Sequence, residues 1–213
     1  MEVLRMIVFG APGTGKGTHS ANLSRRLGIP CISTGQLLRE AVMAGNELGQ
    51  KVKAYTDSGQ LVPDGIMIDL VDERLANPDC ASGYILDGFP RTLDQAEALA
   101  ERVSVDVVLS LEVPDDEIET RMTGRRVCAA CGTTYHTEYN PPRTEDVCDQ
   151  CGKELSLRVD DRPETVRARL RAYHQSTEPI KGYYAREGKL KSVSSRGAVE
   201  ETAANCMRAL GLT

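Results

Sequence analysis

The feature that most constrains the fold is a glycine-rich stretch that follows a short apolar run near the start of the chain. The run Leu4–Phe9 leads into GAPGTGKGT (10–18), and a helical pattern continues to Leu27. Glycines let the backbone approach phosphate oxygens, and a helix amino terminus favours negative charge. The alternative is a glycine-rich turn without a ligand, but four glycines and a lysine between strand and helix indicate a phosphate-binding loop. Lys16 would reach the terminal phosphates, and the Thr18 hydroxyl would face Mg²⁺.

Apolar runs alternate with helical patterns along much of the remaining chain. Besides the first run, strands are predicted at 29–33, 84–86, 105–111 and 190–193, and helices at Asp64–Leu75 and Leu93–Arg102. Runs rich in Val, Ile and Leu that alternate with helices are typical of a parallel sheet covered on both faces. The chain is therefore predicted to have an α/β fold.

Two segments interrupt this alternation. Residues 33–62 have a helical pattern throughout, whereas residues 125–162 are rich in Cys, Pro, Thr and Asp. We call them the helical insertion and the cysteine insertion. Both are predicted to project from a core formed by residues 1–32, 63–124 and 163–213.

Charge and hydropathy argue against several classes of protein. The 26 Lys and Arg against 31 Asp and Glu give a net charge of −5, which disfavours a general nucleic-acid binder, because neutralising phosphates needs a basic surface. No stretch approaches the roughly 18 apolar residues of a membrane span, and the first residues lack a signal-peptide pattern. We expect a cytoplasmic protein without a membrane partner.

Four of the seven cysteines form two pairs with the spacing C-x2-C-x16-C-x2-C, which is typical of a zinc ribbon. Four thiolates complete a tetrahedral site and leave no position open for water. We therefore expect a structural metal in a reducing compartment, Zn²⁺ with Fe or Co as alternatives. Two disulfides or free thiols are the other interpretations. The predicted ligands are Cys128, Cys131, Cys148 and Cys151, whereas Cys31, Cys80 and Cys206 are expected to be small core residues.

Charged residues follow the predicted strands and border the insertions. Asp87 comes directly after a strand, at the end where open α/β sheets bind ligands. There it would help to hold Mg²⁺ through water, the alternative being a helix cap. Arginines recur at the borders of both insertions and predict a cationic pocket, because guanidinium groups bind phosphate oxygens two bonds at a time. They are Arg39, Arg121, Arg125, Arg158 and Arg169.

Together these motifs resemble the adenylate kinases, in the long bacterial form whose lid binds zinc. The matching segments follow the family's order over essentially the whole chain: the loop at 10–18, STG (33–35) with Arg39, DGFPR (87–91) with Gln95, GRR (124–126), and DD (160–161) through Arg169. The resemblance implies a P-loop nucleoside monophosphate kinase fold with a five-stranded parallel sheet flanked by helices. The helical insertion would bind AMP, and the cysteine insertion would be a lid over ATP.

The same resemblance implies two sides to the site. The ATP side would comprise Gly13, Thr14, Gly15, Lys16, Gly17, Thr18, Arg121, Arg125, Thr134 and Tyr135. The AMP side would comprise Thr34, Arg39, Gln60, Leu61, Val62, Gly88, Phe89, Pro90, Arg91 and Gln95. Arg158 and Arg169 would reach the transferring phosphate.

The expected reaction is reversible, Mg²⁺-dependent transfer of the terminal phosphate of ATP to AMP, which gives two ADP. The phosphate of AMP is already an oxyanion near neutral pH, so no side chain need remove a proton, and His174 is expected to be a structural hydrogen-bonder. Catalysis would come from alignment and from neutralising charge. The predicted catalytic residues are Lys16, Asp87, Arg91, Arg125, Arg158 and Arg169.

One position departs from the family pattern. Gln36 stands where the family commonly has an acid, so Asp87 is expected to carry more of the hydration shell of Mg²⁺.

Three other functions stay open at this point. The nearest alternative is a kinase for another nucleoside monophosphate, or one that uses GTP as donor. A zinc-ribbon protein that binds nucleic acid is disfavoured by the acidic charge and by only nine aromatic residues for stacking. An ATPase or nucleotide switch would need a water-positioning residue, which the motifs do not offer. The resemblance favours a monomer.

Overall fold

Strands and helices alternate along residues 3–212, which are the part of the chain described by the structure, a computed structural model. In chain order the strands are β1 (Leu4–Phe9), β2 (Cys31–Ser33), β3 (Gly83–Asp87), β4 (Val107–Glu112), β5 (Arg125–Cys128), β6 (Thr134–His136), β7 (Leu155–Ser156) and β8 (Leu190–Ser194). The α-helices are α1 (Lys16–Leu27), α2 (Thr34–Ala44), α3 (Glu47–Ser58), α4 (Asp64–Leu75), α5 (Leu93–Arg102), α6 (Asp115–Thr123), α7 (Pro163–Ala172), α8 (Ile180–Arg186) and α9 (Val199–Leu210). No helix within this range is both long and apolar enough to cross a bilayer.

Five of these strands form one parallel sheet in the order β2-β3-β1-β4-β8. This confirms the predicted α/β class and the predicted strands. The second strand begins two residues later than predicted, at Cys31. Pro30 still accepts a hydrogen bond from the Ile85 N–H through its carbonyl, at 2.9 Å. It has no N–H to donate in return, so the regular ladder starts after it.

The sheet separates two layers of apolar side chains. Along β1, Met6 and Val8 pack into one cluster, while Ile7 and Phe9 pack into the other. This alternation follows from the two-residue period of a strand. One cluster contains Leu23 of α1 and lies beneath α1 and α9, and the larger cluster is covered by helices of the other face. Helices on both faces leave the carboxyl edge of the sheet as the natural place for a site.

The carboxyl ends of three strands meet at that edge. Asp87 pairs with both Val8 of β1 and Ser33 of β2, so the segments after these strands begin side by side. Gly10 starts the phosphate-binding loop with a φ of +139°, and a Cβ there would lie 2.5 Å from the Leu111 carbonyl oxygen. Only glycine allows the chain to turn this close to β4.

The two insertions have different architectures. The helical insertion contains α2 and α3, and the Asn46 side chain caps α3 by accepting the Gly49 N–H at 2.8 Å. The cysteine insertion contains a small antiparallel sheet in the order β6-β5-β7. The helical pattern predicted for 33–62 is confirmed as far as Ser58, beyond which the chain extends toward α4.

His174 joins the two segments that flank the cysteine insertion. It lies in a π-helical turn, Tyr173–Thr177, that continues α7, and its Nε2 is 2.8 Å from an Asp115 oxygen at the start of α6. Its Nδ1 is 2.8 Å from a Glu178 oxygen. Both ring nitrogens donate only in the imidazolium form. The hydrogen bond that His174 donates to Glu178, and then the contact with Asp115, raises the pKa of His174 against the effect of burial. The predicted structural role of His174 is confirmed.

The raised pKa of His174 predicts a pH-dependent contribution to stability. A raised folded-state pKa means that the contribution is fully present below the unfolded pKa and is lost as pH rises through the folded pKa. His174→Gln should therefore lower the melting temperature at pH 6 and have little effect at pH 9. Scanning fluorimetry at both pH values, with the exposed Lys191→Gln as the charge-matched control, measures this. An equal decrease at both pH values would contradict the role of the imidazolium.

Candidate active site

The phosphate-binding loop holds its lysine against its own backbone. Lys16 Nζ donates to the carbonyl oxygens of Gly10 at 2.9 Å and Ala11 at 2.7 Å. Burial lowers the pKa of the Lys16 ammonium to about 7, although Asp87 acts in the opposite direction and Arg91 adds to the decrease. An anion placed in the loop would therefore favour the charged lysine.

Asp87 ends β3 beneath the loop and is buried, with 7% of its surface exposed. One of its carboxylate oxygens lies 3.7 Å from the position that a Cβ on Gly17 would take. The helix-cap alternative is wrong, because the N-cap of α5 is Thr92, whose hydroxyl accepts the Gln95 N–H at 3.2 Å. The carboxylate is thus directed to the loop, near the exposed Thr18. Carboxylate and hydroxyl oxygens are suitable partners for Mg²⁺ and its water shell.

Three atoms of Arg91 are fixed by hydrogen bonds. Its N–H donates to Gln95 Oε1 at 2.7 Å, its Nε donates to the Gly88 carbonyl at 2.7 Å, and its own carbonyl accepts from the Thr177 hydroxyl at 2.9 Å. The Thr34 hydroxyl also donates to the Gly88 carbonyl, at 2.9 Å. Thr34, Gly88, Arg91 and Gln95, all assigned to the AMP side from the resemblance, are therefore one connected group.

A cleft runs between the loop and this group. Its walls come from the loop, the end of the helical insertion, the turn after β3, and α7 with its continuation. Among the lining residues are Gly10, Lys16, Leu61, Gly88, Phe89, Pro90, Arg91, Arg169 and Tyr173.

Two adjacent acids hold three of the predicted arginines. Asp160 binds Arg158 at 2.7 Å and Arg169 at 2.8 Å. Asp161, whose side chain is fully buried, binds Arg125 through two hydrogen bonds and Arg169 at 3.3 Å. Burial opposes the charge of Asp160, but Arg169 and Arg158 outweigh it and hold the pKa of that carboxyl well below its ordinary value.

The role of these two acids is the main feature that the sequence interpretation missed. The pair Asp160-Asp161 contributed to the resemblance, but no function was assigned to it. The available signal was two acids next to Arg158 inside a segment that borders the cationic pocket.

The two insertions approach each other. Gln36 of α2 donates to Glu40 at 2.8 Å, and its Nε2 is 4.0 Å from the position that a Cβ on Gly132 would take in the cysteine insertion. Arg39 lies on the same helix, where burial, and then the nearby Arg158, lowers its pKa to about 10. Arg39 is therefore part of the cationic cluster.

Several residues assigned from the resemblance lie apart from this cluster. Arg121 donates to the Ser195 carbonyl at 2.8 Å and lies 5.9 Å from the centre of the Tyr139 ring. The Tyr135 hydroxyl accepts the Asp149 N–H at 2.8 Å, which places that side chain in the interior of the cysteine insertion. Of the assigned residues outside both the phosphate-binding loop and the cleft lining, Thr134 and Gln60 are exposed and Val62 is buried.

The four paired cysteines lie in two turns with the same hydrogen bonds. The backbone carbonyl of Cys128 accepts the Gly132 N–H at 2.9 Å, and the backbone N–H of Cys128 donates to the Thr133 carbonyl at 3.0 Å. In the same way, the carbonyl of Cys148 accepts the Gly152 N–H at 2.8 Å, and its N–H donates to the Lys153 carbonyl at 2.8 Å. The two glycines have φ values of +75° and +69°, which explains the glycine that follows each pair.

The sulfur atoms of these turns fit a tetrahedral metal. The Sγ distances are 3.4 Å for Cys128–Cys151, 3.6 Å for Cys131–Cys148 and 3.5 Å for Cys131–Cys151, and all four sulfurs lie within 4.8 Å of one another. Zn–S bonds of about 2.3 Å give sulfur separations of about 3.8 Å. A disulfide would need about 2.05 Å, so the disulfide interpretation is wrong. His136 is not in this set of atoms that lie together, and its Nδ1 accepts from the Glu138 N–H at 3.0 Å.

A strand–loop–helix unit that presents a lysine toward a set of arginines is the arrangement of P-loop enzymes that act on nucleotides. The family model described as adenylate kinase matches residues 8–189, and the chain belongs to the adenylate kinase family. It is 47% identical to an adenylate kinase of Lachnospira eligens over 98% of this chain and all of that protein. It is also 50% identical to adenylate kinases of Thermodesulfovibrio yellowstonii, over 93% of this chain and 94% of the relative, and of Archaeoglobus fulgidus, over 92% and 93%.

Removing the charge of Asp161 should destabilise the protein, because Arg125 and Arg169 would lose a buried partner. Loss of one member of a buried ion pair typically costs about 3–5 kcal/mol. We expect Asp161→Asn to lower the free energy of unfolding by about this amount, measured by urea denaturation. Added pyrophosphate should restore more stability to the variant than to the original protein. Asp69→Asn, at an exposed position of α4, is the control, and equal stability of the two variants would contradict the anchoring role.

Removing the metal should loosen the cysteine insertion. A loss of about 2 kcal/mol would lower the melting temperature of a chain of this size by about 4–8 °C. We expect at least this shift after chelation, and about one metal ion per chain by elemental analysis before it. Cys131→Ser should reproduce the shift, whereas Cys31→Ser should keep the metal. An unchanged melting temperature without metal would exclude a structural role.

Proposed function

We propose that the protein catalyses the reversible, Mg²⁺-dependent transfer of the terminal phosphate of ATP to AMP, with two ADP as products. The observation that carries this proposal is that Lys16, Arg91 and Arg169 line one cleft. Two phosphates that repel each other could be brought together only in such a cationic site. The names of the relatives support ATP and AMP as the substrates.

Transfer in this cleft needs no general base. The acceptor phosphate is already ionised near neutral pH, so the chain's task is to align the acceptor oxygen with the terminal phosphate of the donor. The donor would lie in the loop beside Lys16, and the acceptor beside Arg91, Thr34 and Gln95. Direct in-line transfer between them requires no covalent intermediate on the protein.

The arginines would neutralise the charge that spreads over the transferred group. Asp160 and Asp161 already hold Arg125, Arg158 and Arg169 in fixed orientations, so little reorganisation is needed during transfer. Fixed donors in a site protected from water stabilise a transition state more than mobile donors in solvent.

Mg²⁺ would supply positive charge at the phosphates of the donor. Thr18 and Asp87 are the residues that would hold it, Asp87 through water. Gln36 has no charge to contribute to the hydration shell of Mg²⁺, and its amide donates a hydrogen bond to Glu40. Asp87 is therefore the main acid for the metal.

Contact between the insertions would keep water from the cleft. We propose the division into a core (1–32, 63–124, 163–213), an AMP-binding helical insertion (33–62) and a lid formed by the cysteine insertion (125–162). The approach of Gln36 to Gly132 supports a lid that closes against the AMP side. Exclusion of water would favour transfer to AMP over hydrolysis.

The metal-type cysteine cluster supports a reducing compartment, and we propose the cytoplasm. We also propose that the protein acts as a monomer on ATP, AMP and ADP, without nucleic-acid or membrane partners. The structural metal is proposed to be Zn²⁺, which four thiolates suit best.

A coupled assay with ATP or GTP as donor and AMP, GMP, CMP or UMP as acceptor tests the substrate assignment. Rapid ADP formation from ATP and AMP alone is expected. Transfer to another acceptor, or from GTP, would replace the substrates but keep the mechanism. No transfer by the folded, metal-loaded protein would overturn the proposal.

Arg91→Ala should lower the turnover number by about 100- to 1,000-fold, the usual effect of removing one donor that stabilises a transition state. The backbone hydrogen bonds of residue 91 to Gln95 and Thr177 survive this substitution, so the fold should be kept. The coupled assay measures the loss, with Arg186→Ala on the exposed face of α8 as the control. Arg91→Lys should recover only part of the rate, because an ammonium lacks the planar fork. Turnover near that of the original protein in Arg91→Ala would remove this residue from the catalytic set.

A further inference from the structure

His19 packs against the phosphate-binding loop and has no role in the mechanism described so far. It lies in the first turns of α1 and is 3% exposed. Its Cδ2 and Nε2 are 3.2 Å and 3.4 Å from the position that a Cβ on Gly15 would take. Its Nδ1, on the opposite edge of the ring, is buried and has no hydrogen-bond partner among the described residues.

The surroundings of His19 favour its uncharged form. Burial, and then the nearby Arg121 of α6, lowers the pKa of His19, so the ring is neutral at neutral pH. His19 also lines a groove together with Arg25 and Arg26 of α1 and Cys206 of α9. With Nδ1 unpartnered, the neutral ring would carry its proton on Nε2, the atom that faces Gly15.

The surroundings of the loop set the direction of a bound nucleotide. At one end, Lys16 is surrounded by Asp87, Arg91 and Arg169, which are the residues proposed for transfer. At the other end, the Ser195 hydroxyl donates to the Thr14 carbonyl at 2.9 Å, and Ser195 in turn accepts from Arg121. The terminal phosphate of a donor would lie at the lysine end, because the lysine of such loops reaches the terminal phosphates. The phosphate nearest the nucleoside would lie at the end of Ser195.

His19 lies at this second end. The Cβ position on Gly15 that lies 3.4 Å from His19 Nε2 also lies 3.7 Å from Ser195 Oγ. We propose that His19 is a donor-binding residue, which donates a hydrogen bond from Nε2 to the phosphate that adjoins the nucleoside of the bound triphosphate. This inference rests on the proposed function, since it takes a nucleoside triphosphate as the ligand of the loop.

Kinetics of two matched variants test the contact. His19→Phe keeps a ring but removes the donor, and we expect it to raise KM for ATP about tenfold, the effect of losing one hydrogen bond to a charged group. KM for AMP should stay unchanged, because the acceptor binds at the other end of the cleft. His19→Gln keeps an N–H donor and should recover most of the affinity. If both variants raised the two KM values equally, or if Gln gave no recovery, His19 would be only a packing residue.

A spectroscopic measurement separates this inference from the proposed reaction. The chain has three histidines, so the ring resonances of His19 can be assigned with single variants of His136 and His174. A non-hydrolysable ATP analogue should shift the His19 Nε2 resonance, whereas AMP should not. No shift at saturating analogue would overturn the contact, even in a protein that makes ADP from ATP and AMP. A shift in a protein without transfer activity would keep the contact and overturn the proposed reaction.

Discussion

The concentration of positive charge in one cleft is the constraint on which the rest of the structure depends. Lys16, Arg91, Arg125, Arg158 and Arg169 repel one another, and burial lowers the pKa of Lys16 and Arg169. The carboxylates of Asp87, Asp160 and Asp161 offset this repulsion. Asp87 lies at the end of β3, and the other two lie in the 3₁₀ turn Val159–Asp161 that leads into α7. The parallel sheet matters here because it brings the loop after β1 and the turn after β3 to the same edge.

The cysteine insertion contains much of this positive charge but has a very small hydrophobic core. Its buried cluster contains four residues, Cys128, Tyr135, Cys148 and Leu155, and two of them belong to the sulfur set. A segment with so small an apolar interior gains rigidity from a metal more readily than from packing. Rigidity matters for Arg125, because this arginine starts β5 and its guanidinium must meet Asp161 across the base of the insertion. Metal site and active site are therefore linked through one short strand.

Local sequence signals predicted the parts of this molecule that depend on neighbouring residues. The loop at 10–18, the five parallel strands and the paired cysteines all have short-range patterns, and the structure confirms them. The pairing of acids with arginines joins positions far apart in the chain, such as Arg125 and Asp161. No local sequence pattern can therefore predict this pairing. The inward direction of Tyr135 could not be predicted either, because a three-residue strand has too few residues to show which face is buried. Assignment of individual site residues rested on family resemblance, and their roles stay predictions.

The contact of Lys16 with the carbonyls of Gly10 and Ala11 has a consequence for the speed of the enzyme. These two oxygens are an internal substitute for phosphate, so a nucleotide that enters the loop exchanges one pair of oxygens for another. The ammonium would then keep acceptors at each stage, which would lower the barrier to entering or leaving the loop. Competition from the carbonyls would weaken the binding of both substrate and product. In the proposed reversible reaction, where product and substrate would occupy the same loop, such moderate affinity would permit rapid turnover in either direction.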